Sequence, residues 1–178
     1  LNGGFARHIT VPERNCLVLP SGVDVELGAL AEPLAVGCDA VLTGEVKLGD
    51  TVLVLGPGTI GQAIALMART AGAGRVLIAG RADAPRFEVL RQLGFDELLD
   101  VADAPLGDLV LKVNENRPVD VVLEATGNPG SVAAGLSVLK RGGIMVVAGI
   151  YPAAGSIPLT DFVRSRQQIR ASHGSARS

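Results

Sequence analysis

The strongest constraint on this chain is the run from Asp50 to Ile64, Asp-Thr-Val-Leu-Val-Leu-Gly-Pro-Gly-Thr-Ile-Gly-Gln-Ala-Ile. A β-branched apolar stretch stops at a glycine-rich turn, and a helical pattern starts at once, with Ile60, Ala63, Ile64, Met67 and Ala68 on one face. Strand, tight loop and helix in that order fit the G-x-G-x-x-G fingerprint. Gly56 permits the turn, Gly58 lets backbone approach a pyrophosphate, and Gly61 lets the helix press on the strand. An anion there meets the free N–H groups of Thr59, Ile60 and Gly61 at a helix N-terminus, where the macrodipole favours negative charge. Glycine turns also serve plain packing, but the flanking strand and helix favour nucleotide binding. No Gly-Lys-Ser/Thr follows, which excludes a Walker A loop.

The chain has 178 residues, enough for one sizeable domain, and 48% of them are hydrophobic. The longest apolar run, 52–68, is broken by Gly56, Pro57, Gly58 and Gly61, so it reads as a buried strand plus its helix and not as a membrane span. Only 3% of residues are aromatic, so the core must be built from Val, Leu, Ile and Ala. A net charge of −2 without a basic block gives no footing for nucleic acid. Cys16 and Cys38 stand in unrelated contexts and read as small buried hydrophobes in a reduced, cytoplasmic setting. No targeting segment is visible, and the chain opens on Leu1 and closes on Ala-Arg-Ser, the ends expected of a piece of something longer.

Taken in order, 5–12 and 17–20 alternate as short strands and suit the tail of a preceding β-rich domain. His8 has no metal-like neighbour and reads as a surface or strand histidine. Residues 21–44 are helical, with Ser21 as a start and a break near Glu32-Pro33. Glu32 lies in an apolar stretch, either as a solvent-facing glutamate at the break or as a metal or proton-relay group; spacing alone favours the first. From Thr51 onward the pattern repeats. Strands are expected at 51–56, 75–79, 97–101, 119–125, 144–150 and 168–172, with helices at 59–72, 85–93, 106–116, 130–140 and 160–165. Alternation of this kind predicts an α/β fold with a doubly wound six-stranded parallel sheet of order 3-2-1-4-5-6. Ligands in such sheets sit at the carboxyl ends of the strands, so the loops to watch are 56–61, 80–86, 125–130 and 149–156.

The end of the second strand bears on the cofactor. An Asp or Glu there holds the adenosine ribose of NAD. Here Gly80 stands in its place and Arg81 follows; Arg81 can pair with a 2′-phosphate, and Arg86 can help. That favours NADP over NAD, with Asp83 close enough to keep NAD in play. Ala125, Thr126 and Gly127 at the fourth strand end, and Gly149 and Ile150 at the fifth, are small or apolar enough to let a nicotinamide ribose approach backbone, or are simple turn residues.

With these pieces in line the chain resembles the coenzyme half of the zinc-type medium-chain alcohol dehydrogenases, most of all the polyol, sorbitol and threonine branch. The matching residues are Gly3-Gly4-Phe5-Ala6, Val11-Pro12, Leu19-Pro20, Glu32-Pro33-Leu34-Ala35-Val36, the run 48–61, Glu124-Ala125-Thr126-Gly127 and Arg141-Gly142-Gly143. The resemblance implies a Rossmann domain over 21–178, with 1–20 the remnant of a GroES-like catalytic domain. It also implies a zinc that polarises an alcohol while hydride passes to NAD(P). It raises Glu32 to a candidate metal ligand or water relay. Where relatives often carry a histidine soon after that motif, this chain has Asp39. The remaining zinc ligands belong to an N-terminal domain, so this chain by itself is expected to be inactive. A small-molecule alcohol as substrate and a homo-oligomer paired near 144–150 and 156–172 are implied too; neither nucleic acid nor membrane is.

The rival readings are a non-catalytic nucleotide-binding module and a zinc-free quinone or enoyl reductase, against which the Glu-Pro-Leu-Ala motif argues. A methyltransferase is more distant, because its glycine loop need not continue to a third glycine. A short-chain dehydrogenase needs Lys four residues after its Tyr, and Tyr151 is followed there by Gly155.

Overall fold

Apolar residues dominate β1 (Thr51–Leu55), β2 (Arg75–Gly80), β3 (Leu98–Asp100) and the central parts of β4 (Val119–Glu124) and β5 (Leu139–Val147), as strands covered on both faces require. In a computed structural model, which describes residues 4–174, these strands and β6 (Gln168–Ala171) form a six-stranded sheet of order β3-β2-β1-β4-β5-β6. Every pairing is parallel. The expected doubly wound topology is therefore found. Gly3, which opens the first matching motif, and the closing Ala-Arg-Ser lie outside the described residues.

Alternate side chains of one strand feed two cores. Val52, Val54, Val76, Ile78, Val121, Leu123, Ile144 and Val146 pack with Ile64, Ala65 and Ala68 of α3 (Thr59–Thr70) and Phe87 and Leu90 of α4 (Ala84–Gln92). Leu53, Leu55, Leu77, Ala79, Val122 and Met145 pack with Val110 of α5 (Leu106–Val113) and Leu136 of α6 (Pro129–Val138). Aliphatic residues dominate both cores.

The chain divides into two compact units, Leu1–Ala31 and Glu32–Ser178. In the first, the strands expected at 5–12 and 17–20 do not form. The segment is irregular apart from a 3-10 turn, Glu13–Asn15, and α1, Val25–Gly28. Alternation marks a segment that suits a sheet, but a ladder needs a neighbour, and none of the described residues pairs with it. Leu17 and Val18 are 91% and 96% exposed. Ser21 does not start a helix; Asp24 does, its side chain accepting from the Glu26 N–H at 2.9 Å. Cys16 is exposed and Cys38 only half-buried, so the buried-hydrophobe reading fails for both; each is a free thiol. His8 is exposed on irregular chain.

The helix break falls at Ala29-Leu30, ahead of Glu32-Pro33, because α2 runs from Ala31 to Thr43. Pro33 occupies the first turn, where its missing N–H has no intrahelical acceptor to lose. The other strands lie within a residue of their expected limits at each end, and β5 departs furthest. β5 begins at Leu139, where Lys140 donates to Asp120 at 2.5 Å, and the register then jumps between Val119 and Val121. It ends at Val147, because the Ala148 and Gly149 N–H groups both turn to the Glu124 carbonyl at 2.9 and 3.2 Å. α5 stops at Val113, where the Asn114 side chain donates to the Arg117 and Pro118 carbonyls. The seventh helix, α7, spans Leu159–Ser165.

Candidate dinucleotide crevice

The topology reverses between β1 and β4, and the crevice opens at their carboxyl ends, where a doubly wound sheet takes its ligand. Its volume is about 670 Å³, within the range of small-molecule sites. Gly56 turns the chain with φ +104°, a conformation glycine adopts without strain. A Cβ on Gly58 meets nothing within 4 Å, so this backbone faces open space. A Cβ on Gly61 would lie 1.7 Å from the Gly56 carbonyl oxygen, which is the close helix-to-turn packing the third glycine serves. Gly58 is also the N-cap of α3 and offers no side chain to the helix end. The first helical bond runs from the Gln62 N–H to the Gly58 carbonyl at 2.8 Å. The N–H groups of Thr59, Ile60 and Gly61 therefore precede the helical ladder and remain for an anion.

Gly56 and Gly58 line the crevice, as do Gly80, Arg81 and Arg86 from the turn after β2, and Ala125 and Thr126 after β4. A Cβ on Gly80 would strike the Pro57 ring at 2.7 Å, so this glycine also serves packing. Arg81 is exposed and makes no ion pair among the described residues. Arg86, by contrast, donates to Asp83 at 2.8 Å, so its charge is already matched within the crevice. The turn is pinned from β3: Asp100 accepts from the Ala82 and Ala102 N–H groups, each at 2.9 Å. These backbone donors, with Arg81 adding to them, hold the Asp100 carboxyl below the usual carboxylate range.

Thr59, Ile60 and Gly61 stand behind the turn and do not line the crevice, and neither do Ile150, Gly127 and Gly149 after β4 and β5. The structure gives the two glycines another duty. A Cβ on Gly149 would lie 2.4 Å from the Gly127 nitrogen and 2.6 Å from Glu124 Oε2, and one on Gly127 would lie 2.3 Å from the Ile150 carbonyl oxygen. The loops after β4 and β5 thus close backbone to backbone. Ile150 is 77% exposed. Val101, Pro105 and Leu106 after β3, with Asn128 and Ser131 at the start of α6, complete the wall. The sequence reading passed over the loop after β3, although the rule that picked the other strand ends applies to it equally.

It gave no role to Glu124, which it named only within a matching motif and whose side chain is completely buried. Its carboxylate accepts from the Thr126 N–H at 2.7 Å, from the Thr126 hydroxyl and from the Tyr151 hydroxyl. Burial, and then the bond to the Glu124 carboxylate, push the Tyr151 hydroxyl well above its usual value.

Glu32 lies exposed in the first turn of α2. Among the described residues, no three of His, Cys, Asp and Glu come together as metal ligands, so these residues do not by themselves make a zinc centre. Asp39 is committed elsewhere, accepting from the Ser172 hydroxyl at 2.6 Å. No helix among the described residues is long and apolar enough to cross a membrane.

Known proteins agree with this architecture. Residues 59–178 match the family model described as zinc-binding dehydrogenase. Sorbitol dehydrogenase of Rattus norvegicus is 37% identical over 147 residues, which cover 81% of this chain and 41% of that protein. L-idonate 5-dehydrogenase of Escherichia coli superposes with a TM-score of 0.87 at 28% identity, covering 98% of this chain and 49% of its own. A Sinorhizobium meliloti protein described as a zinc-binding dehydrogenase and bound to NADP gives 0.89 at 29% identity, covering 98% and 52%. The chain thus spans about half, or somewhat less, of the length of the relatives it matches. With its glycine turn, its sheet order and this match over most of its length, the chain belongs to the zinc-binding dehydrogenase family.

Proposed function

We propose that this chain is the dinucleotide-binding part of an oxidoreductase that moves hydride between NADP(H) and an alcohol, with a polyol, sugar or secondary alcohol as the substrate class. The observation that carries the reading is the turn at Gly56–Gly61: open backbone at Gly58, a helix start behind it, and Gly61 locked on Gly56. These residues fit a diphosphate, which the N–H groups of Thr59, Ile60 and Gly61 hold with the helix dipole behind them. The adenosine half then extends toward Gly80 and Arg81, and the nicotinamide half toward Ala125 and Thr126. When bound, the nicotinamide supplies the hydride acceptor. The protein's part is to bind, orient and exclude water.

The choice of NADP over NAD rests on charge. No carboxylate closes β2, Arg86 neutralises Asp83, and Arg81 is left to meet a 2′-phosphate. The polyol class is supported by the sorbitol and L-idonate dehydrogenases among the relatives. Zinc is supported by the family, but the described residues do not form its centre. Glu32 is the acid this chain offers to a metal whose other ligands come from outside it, and no step is derived through that metal. Residues 1–20 suit the remnant of a second domain, since 4–20 lie exposed with Phe5, Leu17 and Val18 uncovered, and residues 21–178 suit the dinucleotide domain. The open edge of β6 supports a homo-oligomer.

Calorimetric titration tests the cofactor. NADPH should bind about tenfold tighter than NADH, as one phosphate-to-arginine bond is worth. The ratio should fall as salt rises and approach one in Arg81→Ala. Equal affinities in the unsubstituted chain, unchanged by the substitution, would refute the NADP assignment. No binding of either nucleotide would refute the reading as a whole.

A further inference from the structure

Glu124 is a fully buried carboxylate with no Lys, Arg or His against it among the described residues. A buried carboxyl group in that position is sustained by the hydrogen bonds made to it. Its donors come from two loops. Oε1 receives the N–H and the hydroxyl of Thr126, after β4, and Oε2 receives the hydroxyl of Tyr151, after β5. The backbone carbonyl of the same residue takes the Ala148 and Gly149 N–H groups. One residue at the end of β4 therefore fastens the loop after β5 to its own.

The fastening reaches the crevice wall. With the Thr126 O–H donating its hydrogen bond to Glu124, the hydroxyl lone pairs are left to accept. They take the Asn128 N–H at 2.9 Å and the Ser131 hydroxyl at 2.9 Å. Thr126, Asn128 and Ser131 all line the crevice on the β4 side, away from Gly80 and Arg81.

We infer that Glu124 is a positioning residue for the cofactor: with Tyr151 it latches the loops after β4 and β5 together and fixes the Thr126–Ser131 wall against which the nicotinamide half lies. The inference rests on the dinucleotide reading above. It requires that loss of the latch weaken the dinucleotide and spare a ligand that carries the adenosine half alone.

The test is calorimetric titration of the 178-residue chain, Tyr151→Phe and Glu124→Gln with NADPH and with 2′,5′-ADP. Both variants should lose about tenfold in NADPH affinity, the upper range for one hydrogen bond. Their affinity for 2′,5′-ADP should stay within about twofold, as for groups that share no partner. Tyr151 is the one tyrosine and there is no tryptophan, so its alkaline absorbance titration reads the latch directly. In Glu124→Gln that titration should move down toward the ordinary tyrosine value. Equal losses for both ligands, no loss for either, or an unmoved titration would overturn the inference. An unsubstituted chain that binds neither ligand overturns the dinucleotide reading, and the latch with it. One that binds both, with variants unchanged, overturns the latch alone. Should Glu124→Gln fail to fold, Tyr151→Phe keeps both Thr126 bonds and carries the comparison.

Discussion

Two glycines three residues apart do opposite work in the turn after β1. Gly61 is fixed by packing: a methyl group there would stand 1.7 Å from the Gly56 oxygen, and neither side is a side chain that can swing away. A methyl group on Gly58 would meet no described residue within 4 Å. Gly61→Ala should therefore lower stability by about 3 kcal/mol or more, the upper range for overpacking. Gly58→Ala should change it by less than about 1 kcal/mol, since its extended φ and ψ suit alanine and only a weak N-cap is exchanged. The same Gly58→Ala should cost about tenfold or more in NADPH affinity, because the methyl occupies the space a diphosphate needs. Urea unfolding and calorimetry on the two variants check the contrast; an unstable Gly58→Ala, or one that binds normally, would end the argument. The glycines were legible in the sequence because a spacing encodes a turn. Glu124 was not. In the sequence it is one acid at a strand end, and its meaning depends on Tyr151, 27 residues on and delivered by a different loop.

At the scale of elements, β1, β4 and β5 are tied together at the end of the sheet away from the crevice. Asp120 accepts from the Thr51 N–H at 2.7 Å and from Lys140 at 2.5 Å. Burial pushes its carboxyl up, but the Lys140 and Thr51 bonds outweigh this and hold it below the usual carboxylate value. A folded-state pKa below the unfolded one means stability that is present above the unfolded pKa of about 3.9 and lost as pH falls through the folded value. Asp120→Ala should cost about 2 kcal/mol at pH 7, by leaving the Thr51 N–H and the Lys140 ammonium unpaired. The gap between variant and parent should close as pH drops below about 4. Chemical denaturation from pH 7 to pH 3 measures it; a gap independent of pH would show that packing, not charge, is what Asp120 supplies. The strand expected at 144–150 was displaced toward its start by this cluster and cut short at its end by Glu124. Hydropathy finds the apolar centre of a strand, but its limits are set where single polar groups take over the backbone.

The whole molecule shows why one part of the sequence reading succeeded and another did not. The six parallel strands from β1 onward carry their partners within the chain, so periodicity was sufficient to order them. Residues 5–12 and 17–20 have the alternation of strands without the neighbours, and they lie exposed and irregular. The same logic applies to β6, which closes the sheet with one edge unpaired among the described residues. The Ser172 N–H donates to the Val147 carbonyl at 3.0 Å, so by the period of two the Ile169 and Ala171 N–H groups face outward. β6 itself leaves Ile169 37% exposed, and α7, the helix that precedes it, leaves Leu159 65% and Val163 70% exposed. A bare edge of this kind, with apolar side chains beside it, is a template for a second strand. A copy of this chain, pairing antiparallel across a two-fold axis, satisfies both copies with one interface. Light scattering after gel filtration should find a dimer. Ile169→Lys should shift it toward monomer by bringing two like charges together across the axis, while the sheet stays folded by circular dichroism. A monomer at every concentration, or a dimer indifferent to the lysine, would mean that this edge is covered in some other way.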